Sequence, residues 1–383
     1  MRKKYQNIFG DKLRQFGPSW FIRQGLRYFQ IILSAWNRKA LTGPVSVVLM
    51  PTYRCNHRCR MCDFPGRYCP EESEMSTVRI KNLLDELASL PSLGVSFYGG
   101  EPLLRPDIVE LIRYAHSRKL LVHLTTNGLL LDEKLSGEII AAGTDVVSIS
   151  LDGASPASHD RQRGVSGAFE KAIAAINSLR QARRTLSAGT RVAVTTVLTT
   201  DNLREIDGIV KAAINAGADS HTIYEAQPLL NAANTFTERD LAALREANRE
   251  IARLQAVYPD YIDNSRRYIR IADQIFQGKK ARLKCFAPYT DLFIDPYGGL
   301  YPCNHLLGLG IPRGQYQPGR LKDFWYSEKY QKTRDQLSDC AACNYLCHRE
   351  LSLIFNRLWP GRRPEFTYGR PLPSGIKPEP KVD

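Results

Sequence analysis

Nine cysteines stand in this chain, and six of them fall into two tight groups. Three are spaced Cys55-x3-Cys59-x2-Cys62 and three Cys340-x2-Cys343-x3-Cys347, while Cys69, Cys285 and Cys303 stand apart. An odd count with no secretory signal ahead of it argues against a disulfide framework. Tight spacing in a reducing compartment argues for ligation of a metal or a cluster. Thiolates are soft ligands, suited to zinc or iron–sulfur clusters over magnesium or calcium. The first group offers three thiolates where structural zinc or an iron–sulfur cubane takes four protein ligands. Two readings fit. Either a cluster is held with one iron open to another molecule, or a zinc knuckle is completed by His57 or Cys69.

The elements that must position these groups read as strand, loop, helix, repeated. Short apolar strands are expected at 45–50, 95–98, 120–124, 145–151, 191–198 and 220–224, with helices at 77–90, 106–118, 131–142, 167–180 and 202–216. Such alternation implies a parallel sheet with right-handed crossovers. Each unusual loop follows the C-terminal end of a strand: the three cysteines, then Gly99-Gly100-Glu101-Pro102, Thr125-Thr126-Asn127-Gly128 and Asp152-Gly153. In parallel barrels that rim is where ligands bind. Each Gly-containing turn taken alone is ordinary turn chemistry; four on one rim point to a site. Residues 236–284 read as a helical connector, with Leu241, Leu244, Ile251 and Leu254 at helical spacing. Residues 285–350 carry five cysteines with little room for a core, which suggests organisation by a metal centre. The Pro/Gly-rich end, within 351–383, is expected to be an extended tail.

The chain has 383 residues and a formal net charge of +14, which invites a nucleic-acid reading. The charge is concentrated at the ends: +8 in residues 1–44 and +3 in 351–383, leaving +3 over the body. A nearly neutral body argues against a nucleic-acid partner. No apolar run reaches the ~18–20 residues of a membrane span, and a cytoplasmic protein is expected. Residues 19–39 combine Trp20, Phe21, Leu26, Tyr28, Phe29, Ile32, Leu33 and Trp36 with Arg23, Arg27, Arg38, Lys39 and no acid. That composition suits a helix lying on a membrane at the inner face; a helix packed on the barrel suits it as well.

On these motifs the sequence resembles the radical S-adenosylmethionine (radical SAM) enzymes, from about residue 45 to 344. Cys55, Cys59 and Cys62 resemble the family's cluster loop, and Gly99-Gly100-Glu101-Pro102 its methionine-binding turn. The stretch 148–153, followed by His159-Asp160 and Arg163-Gly164, resembles the branch with C-terminal auxiliary clusters. The resemblance implies an α/β fold, a partial (β/α)6 TIM-like barrel at 45–235, with a small Cys-rich auxiliary-cluster domain at 285–350. It implies a 4Fe–4S cluster on the three thiolates, whose open iron S-adenosylmethionine chelates. Reductive cleavage then yields a 5′-deoxyadenosyl radical that abstracts hydrogen from substrate, fed by a donor such as flavodoxin or ferredoxin. It places Ser150 and Asp152 near the ribose or methionine end, Arg163 on the methionine carboxylate, and Thr125 and Asn127 in the same pocket. Phe64 is expected near the adenine. Met61 stands where the family favours an aromatic residue; that contact is expected to be made by backbone.

The second cysteine group resembles a "twitch" or shortened SPASM domain. Residues 295–303 would turn a hairpin at Gly298/Gly299 and deliver Cys303, giving one auxiliary 4Fe–4S cluster on Cys285, Cys303, Cys340 and Cys343. Five cysteines fall short of the seven that two auxiliary clusters need, and zinc remains an alternative here. Cys347 is a swapped ligand, a hydrogen-transferring thiol near substrate or an inert thiol. Cys69 reads as a plain thiol, and His305 and His348 as structural or functional alike. The leading functional reading is a radical SAM oxidoreductase or bond-forming enzyme acting on a small molecule, lipid or lipid-linked substrate. The alternative is a peptide-modifying maturase, although 44 residues are fewer than the roughly eighty of a leader-binding winged helix. A basic zinc protein that binds nucleic acid is the remote third.

Overall fold

A computed structural model describes residues 17–69, 73–90, 92–226, 236–341, 346–361, 363–366 and 373, with backbone alone at 20, 21, 346–349 and 366. Six strands run parallel in chain order: β1 (Ser46–Leu49), β2 (Gly94–Phe97), β3 (Leu121–Thr126), β4 (Val146–Ser150), β5 (Arg191–Leu198) and β6 (Ser220–Glu225). Helix α1 (Pro18–Trp36) precedes them. The crossovers are α2 (Thr77–Ser89), α3 (Ile108–Ser117), α4 (Glu133–Ala141), α5 (Pro156–Arg163) with α6 (Ala168–Thr185), and α7 (Ile206–Ala216).

Period-2 alternation decides which way the strand residues face. Val47, Leu49, Val95, Phe97, Val122 and Leu124 are buried in one core with Ile80, Leu83, Leu84 and Leu87 of α2. Ser96, His123, Thr125 and Ser148 occupy the alternate positions, on the inner face. There the His123 ring lies 2.8 Å from Ser148 Oγ and 3.4 Å from Ser96 Oγ. Helix starts follow local chemistry: Ser76 Oγ accepts from Arg79 N at α2, and Ser155 and Ser158 form a capping box at α5. Helix α5 is a finding beyond the sequence expectation. Its residues are nearly all polar, so no apolar period betrays it.

The connector forms α8 (Leu241–Val257) and α9 (Arg266–Phe276), which pack on Leu198 and Ile223. The segment leading into α9 covers the edge of β6: His221 N donates to Tyr261 O at 2.9 Å, and Asp263 N to His221 O at 2.7 Å. Strand β7 (Ala281–Arg282) follows, and then β8 (Asp291–Ile294), β9 (Gly299–Tyr301) and β10 (Gly314–Gln315). The hairpin turns at Gly298, and Asp295 organises it. Asp295 Oδ1 accepts from Tyr297 N and Gly299 N (2.9 and 2.8 Å), and Oδ2 accepts from the Tyr301 hydroxyl at 2.7 Å.

Two expectations need correction. Strand β8 pairs in parallel with β1, Val47 opposite Leu292, so the order is β10-β9-β8-β1-β2-β3-β4-β5-β6 in one sheet. The Cys-rich region therefore has a core of its own accord, because Leu292, Ile294, Leu300, Leu321, Trp325 and Tyr330 join the main barrel core. Short helices α10 (Ala287–Thr290), α11 (Asn304–Gly308), α12 (Leu321–Tyr326), α13 (Glu328–Gln336) and α14 (Leu346–Phe355) complete it. The C-terminal end is not free throughout: β11 (Glu365–Phe366) pairs antiparallel with β7, and Glu365 meets Lys280 and Arg282 at 2.9 and 3.1 Å.

Leu292→Ala tests this seam. Removing a fully buried side chain at the β1–β8 contact is expected to cost about 2–5 kcal/mol. Because the sheet is continuous, amide exchange should accelerate in β1 to β4 together with β8, as read by hydrogen-exchange mass spectrometry.

Candidate functional site

Residues 51–67 leave the C-terminal end of β1 and cross the barrel mouth. Rim loops hold this segment from four sides. After β2, Gly100 N donates to Thr52 O at 3.0 Å and Glu101 N to Arg54 O at 2.8 Å. After β3, Asn127 Nδ2 donates to Asn56 Oδ1 at 2.7 Å. After β4, at the end of α5, Arg163 O and Gln162 O accept from Arg58 N and Arg60 N (3.1 and 3.0 Å). After β5, Asp201 pairs with Arg60 at 2.9 Å. The double glycine makes the first of these possible. Gly99 sits at φ 124°, and a Cβ on Gly100 would lie 2.2 Å from Arg54 O.

Cys55, Cys59 and Cys62 are half-buried free thiols on this loop. Burial pushes the Cys55 thiol up to about 11 and the Cys62 thiol up to about 12. Both stay protonated at neutral pH until a bound metal displaces the proton. Arg163 Nη1 lies 3.7 Å from Cys59 Sγ as donor. Three soft thiols on one loop fit an iron–sulfur cluster that keeps one iron for another ligand. His57, which the knuckle would recruit, has both ring nitrogens buried without a hydrogen-bond partner, and burial pushes it down to about 4. The Cys69 backbone is held by the Tyr297 hydroxyl at 2.7 Å.

Glu101 is buried and uses both oxygens on β3 and its own turn. Oε1 accepts from Thr126 Oγ1 (2.7 Å) and Leu103 N (3.1 Å), and Oε2 from Asn127 N (2.8 Å). Burial raises its carboxyl above the usual range against these donors. Pro102 opens the short helical turn that follows. Arg163 and Asp152 form a buried ion pair, Nη2 to Oδ2 at 2.5 Å, and Val197 N donates to Asp152 Oδ1 at 2.8 Å. Burial alone would lower the Arg163 guanidinium and raise the Asp152 carboxyl; each partner opposes the shift of the other. Thus Asp152, expected near the ribose or the methionine end, meets Arg163, which was expected at the methionine carboxylate.

Thr125 and Ser150 are half-buried on the inner face, opposite Ser148 and Thr195. Phe64, expected near the adenine, is buried, stacked on Tyr53 at 5.7 Å, with Tyr98 edge-on at 6.0 Å and the Arg67 guanidinium over it at 5.5 Å. An aromatic two residues after the third cysteine is drawn into the core of the loop. Sequence reasoning named Thr126 and His159 only as parts of motifs, without a role, and passed over Asn56 and His123. His159 Nδ1 accepts from Asp152 N at 3.0 Å, and burial pushes that ring down to about 3. Alternation along β3 would have found two of the four: it sets Thr126 towards Glu101 and His123 on the same face as Thr125.

Cys285, Cys303 and Cys340 meet one apolar core made with Met50, Tyr53, Phe64, Tyr301, Leu306 and Leu337, and Cys62 packs against the same core. Arg67 binds the loop to this region, donating to Leu307 O at 2.7 Å and to Gly308 O. His305 stands two residues after Cys303, in α11. Cys343 lies outside the described residues, as do the side chains of Cys347 and His348 in α14.

Residues 49–213 match the Radical SAM superfamily and residues 285–345 the SPASM iron–sulfur cluster-binding domain. The chain is a radical SAM protein with a C-terminal SPASM domain. A radical SAM domain uses a 4Fe–4S cluster with S-adenosylmethionine, and a SPASM domain binds auxiliary iron–sulfur clusters. An AdoMet-dependent heme synthase of Methanosarcina barkeri is 29% identical over 319 residues, spanning 77% of this chain and 86% of that protein. The mycofactocin maturase MftC of Mycolicibacterium smegmatis is 28% identical over 80% of this chain and 77% of its own length. Among solved structures, Streptococcus suis SuiB shares the fold with a TM-score of 0.62 at 19% identity, over 87% of this chain and 78% of that one.

The radical SAM loop rests on the Asp152–Arg163 pair, which a double-mutant cycle tests. Arg163→Met and Asp152→Asn should each cost about 3–5 kcal/mol, since each leaves an uncompensated buried partner. The double variant should cost clearly less than the sum, as read by urea unfolding.

Proposed function

We propose that Cys55, Cys59 and Cys62 hold the radical SAM cluster and that the rim around them binds S-adenosylmethionine. The observation that carries this is the convergence of four rim loops on one three-thiol segment. Bound there, the cluster and S-adenosylmethionine supply one-electron cleavage of the sulfonium carbon–sulfur bond and a 5′-deoxyadenosyl radical that takes hydrogen from substrate. The residues of this chain position and shield. The Gly99–Gly100 backbone offers polar groups to the methionine end, with Glu101 locking the turn to β3 and Pro102 stiffening it. Arg163, held by Asp152, sets a fixed positive charge beside Cys59. Asn127 ties its turn to the cluster loop, and Thr125 and Ser150 line the inner face. Cys285, Cys303, Cys340 and Cys343 hold the auxiliary cluster, with Cys347 as a swapped ligand or a thiol near substrate. The electron donor is of the flavodoxin or ferredoxin kind.

The favoured substrate is a small molecule, lipid or lipid-linked compound, to be oxidised or joined. Similarity to a relative named for heme, matched over 86% of its length, supports a non-peptide substrate. A peptide substrate is the second reading. It is supported by similarity to a mycofactocin maturase and to PqqA peptide cyclases.

Anaerobic reconstitution tests the proposal. About eight irons per chain are expected for two four-iron clusters, with 5′-deoxyadenosine formed on adding S-adenosylmethionine and dithionite. Replacing Cys55, Cys59 and Cys62 together by Ala should leave about four irons and abolish 5′-deoxyadenosine. Bound zinc without turnover would sink the reading.

A further inference from the structure

Helix α1 has two apolar faces, and among the described residues only one is packed. Ile31 and Ala35 pack with Phe286, Tyr289, Phe355 and Trp359, and Tyr28 stacks on Phe355 at 5.1 Å. Arg27 is buried on the same side, donating to Thr42 Oγ1 and Pro44 O at 3.4 and 3.3 Å. The other face carries Ile22, Leu26, Phe29, Leu33 and Trp36, spaced four, three, four and three residues apart, with 49–65% of each residue exposed. This spacing forms one stripe along the helix. Beside it, α14 and the residues just after it add Ile354 and Leu358, 50% and 55% exposed. The Tyr28 hydroxyl bonds Ile354 O at 2.9 Å, and the Trp36 and Trp359 rings meet at 5.8 Å, so the two segments share one surface. Single exposed apolar residues are ordinary; a continuous two-helix patch of this kind is not.

The charge that α1 and the residues just after it bring to the patch has one sign. Arg23, Arg38, Lys39 and Arg357 are exposed, and residues 17–44 contain no acid. The chain ahead of the helix adds Arg2, Lys3, Lys4, Lys12 and Arg14 against Asp11 alone. A second copy is a poor occupant. Pairing the stripe with itself, in either direction, sets Arg23, Arg38 and Lys39 against one another with no acid to answer them. A surface that is apolar within and negative at its edge matches both features, as an anionic bilayer does. Among the described residues no helix is long and apolar enough to cross a membrane, so the helix would lie along the surface.

We propose that the face formed by Ile22, Leu26, Phe29, Leu33 and Trp36 of α1, with Ile354 and Leu358, docks this protein on the surface of an anionic phospholipid bilayer. The apolar stripe enters the headgroup–acyl boundary while Arg23, Arg38, Lys39 and Arg357 meet the phosphates. This is independent of the catalytic reading, because binding is scored without turnover.

The test is co-sedimentation of the full-length, cluster-reconstituted protein with vesicles of phosphatidylcholine alone, or containing about one-third phosphatidylglycerol. Binding to the anionic vesicles, weakening as salt rises, is expected. Leu26→Ser, Phe29→Ser and Leu33→Ser combined should weaken it about tenfold or more, with iron content and melting temperature unchanged. Should that variant lose iron or melt early, the paired variant Ile354→Ser and Leu358→Ser takes its place, with the same loss expected. Arg23→Gln, Arg38→Gln and Lys39→Gln combined should flatten the salt dependence. The proposal is overturned if wild type binds neither vesicle. It is overturned equally if the serine variants bind as well as wild type, which would leave the basic first residues responsible. A wild-type dimer in light scattering that the serine variant dissociates would assign the face to a second copy.

Discussion

Strand β1 is paired on both edges, and the rest of the molecule depends on it. Ser46 to Leu49 bond β2 on one side and β8 on the other, in parallel and in fixed register. A parallel strand cannot slip by one residue without turning its buried side chains outward. With Val47 and Leu49 fixed in the core, the chain leaves β1 at one definite point on the rim, and the three-thiol loop begins there. The same strand brings in the SPASM region, so Cys62 of the loop and Cys285, Cys303 and Cys340 of that region share the core around Met50, Tyr53 and Phe64.

The loop itself has little apolar surface with which to hold its shape, and it is held by polar contacts made at the rim. Backbone bonds from Gly100 and Glu101, the Asn127 side chain, the backbone at the end of α5 and one surface ion pair give it four anchors of different strength. The Arg60–Asp201 pair, on the surface, contributes little. The buried Asp152–Arg163 pair is costly to break rather than strongly stabilising to form, because desolvation offsets most of its attraction. Its use is to keep a charged group in place beside Cys59 within a low-dielectric wall. The thiols raised by burial complete the arrangement: the site gives up protons when a cluster binds, so cluster affinity must rise with pH.

Helix α1 shows how one amphipathic segment satisfies two readings at once. Its inner face is core for the auxiliary region, which also takes in Arg27, a residue that composition alone would count with the exposed bases. Its outer face remains apolar. A helix has circumference enough for both, since successive residues turn by a hundred degrees and two stripes can run along it.

Much of this was legible in the residues themselves. Thiol spacing announced soft-ligand chemistry; strand–helix alternation announced a parallel sheet with its loops on one rim; and the resemblance carried by the cysteines and the double glycine named the family. These are local signals, set by ligand softness, backbone freedom at glycine and the two periodicities. The parts that were not legible are all non-local. That β8 pairs with β1 depends on residues some 245 positions apart. Asp152 turns inward to Arg163, and Phe64 folds under Tyr53, because burial energies at each place exceed what a motif can register. Helix α5 forms from polar residues because a capping box and the loop resting on it make up for the missing apolar stripe. By itself the sequence determined the chemistry available and the elements that carry it. Only the tertiary structure decided which side chains face one another, because that follows from long-range packing and desolvation, which leave no mark at any single position.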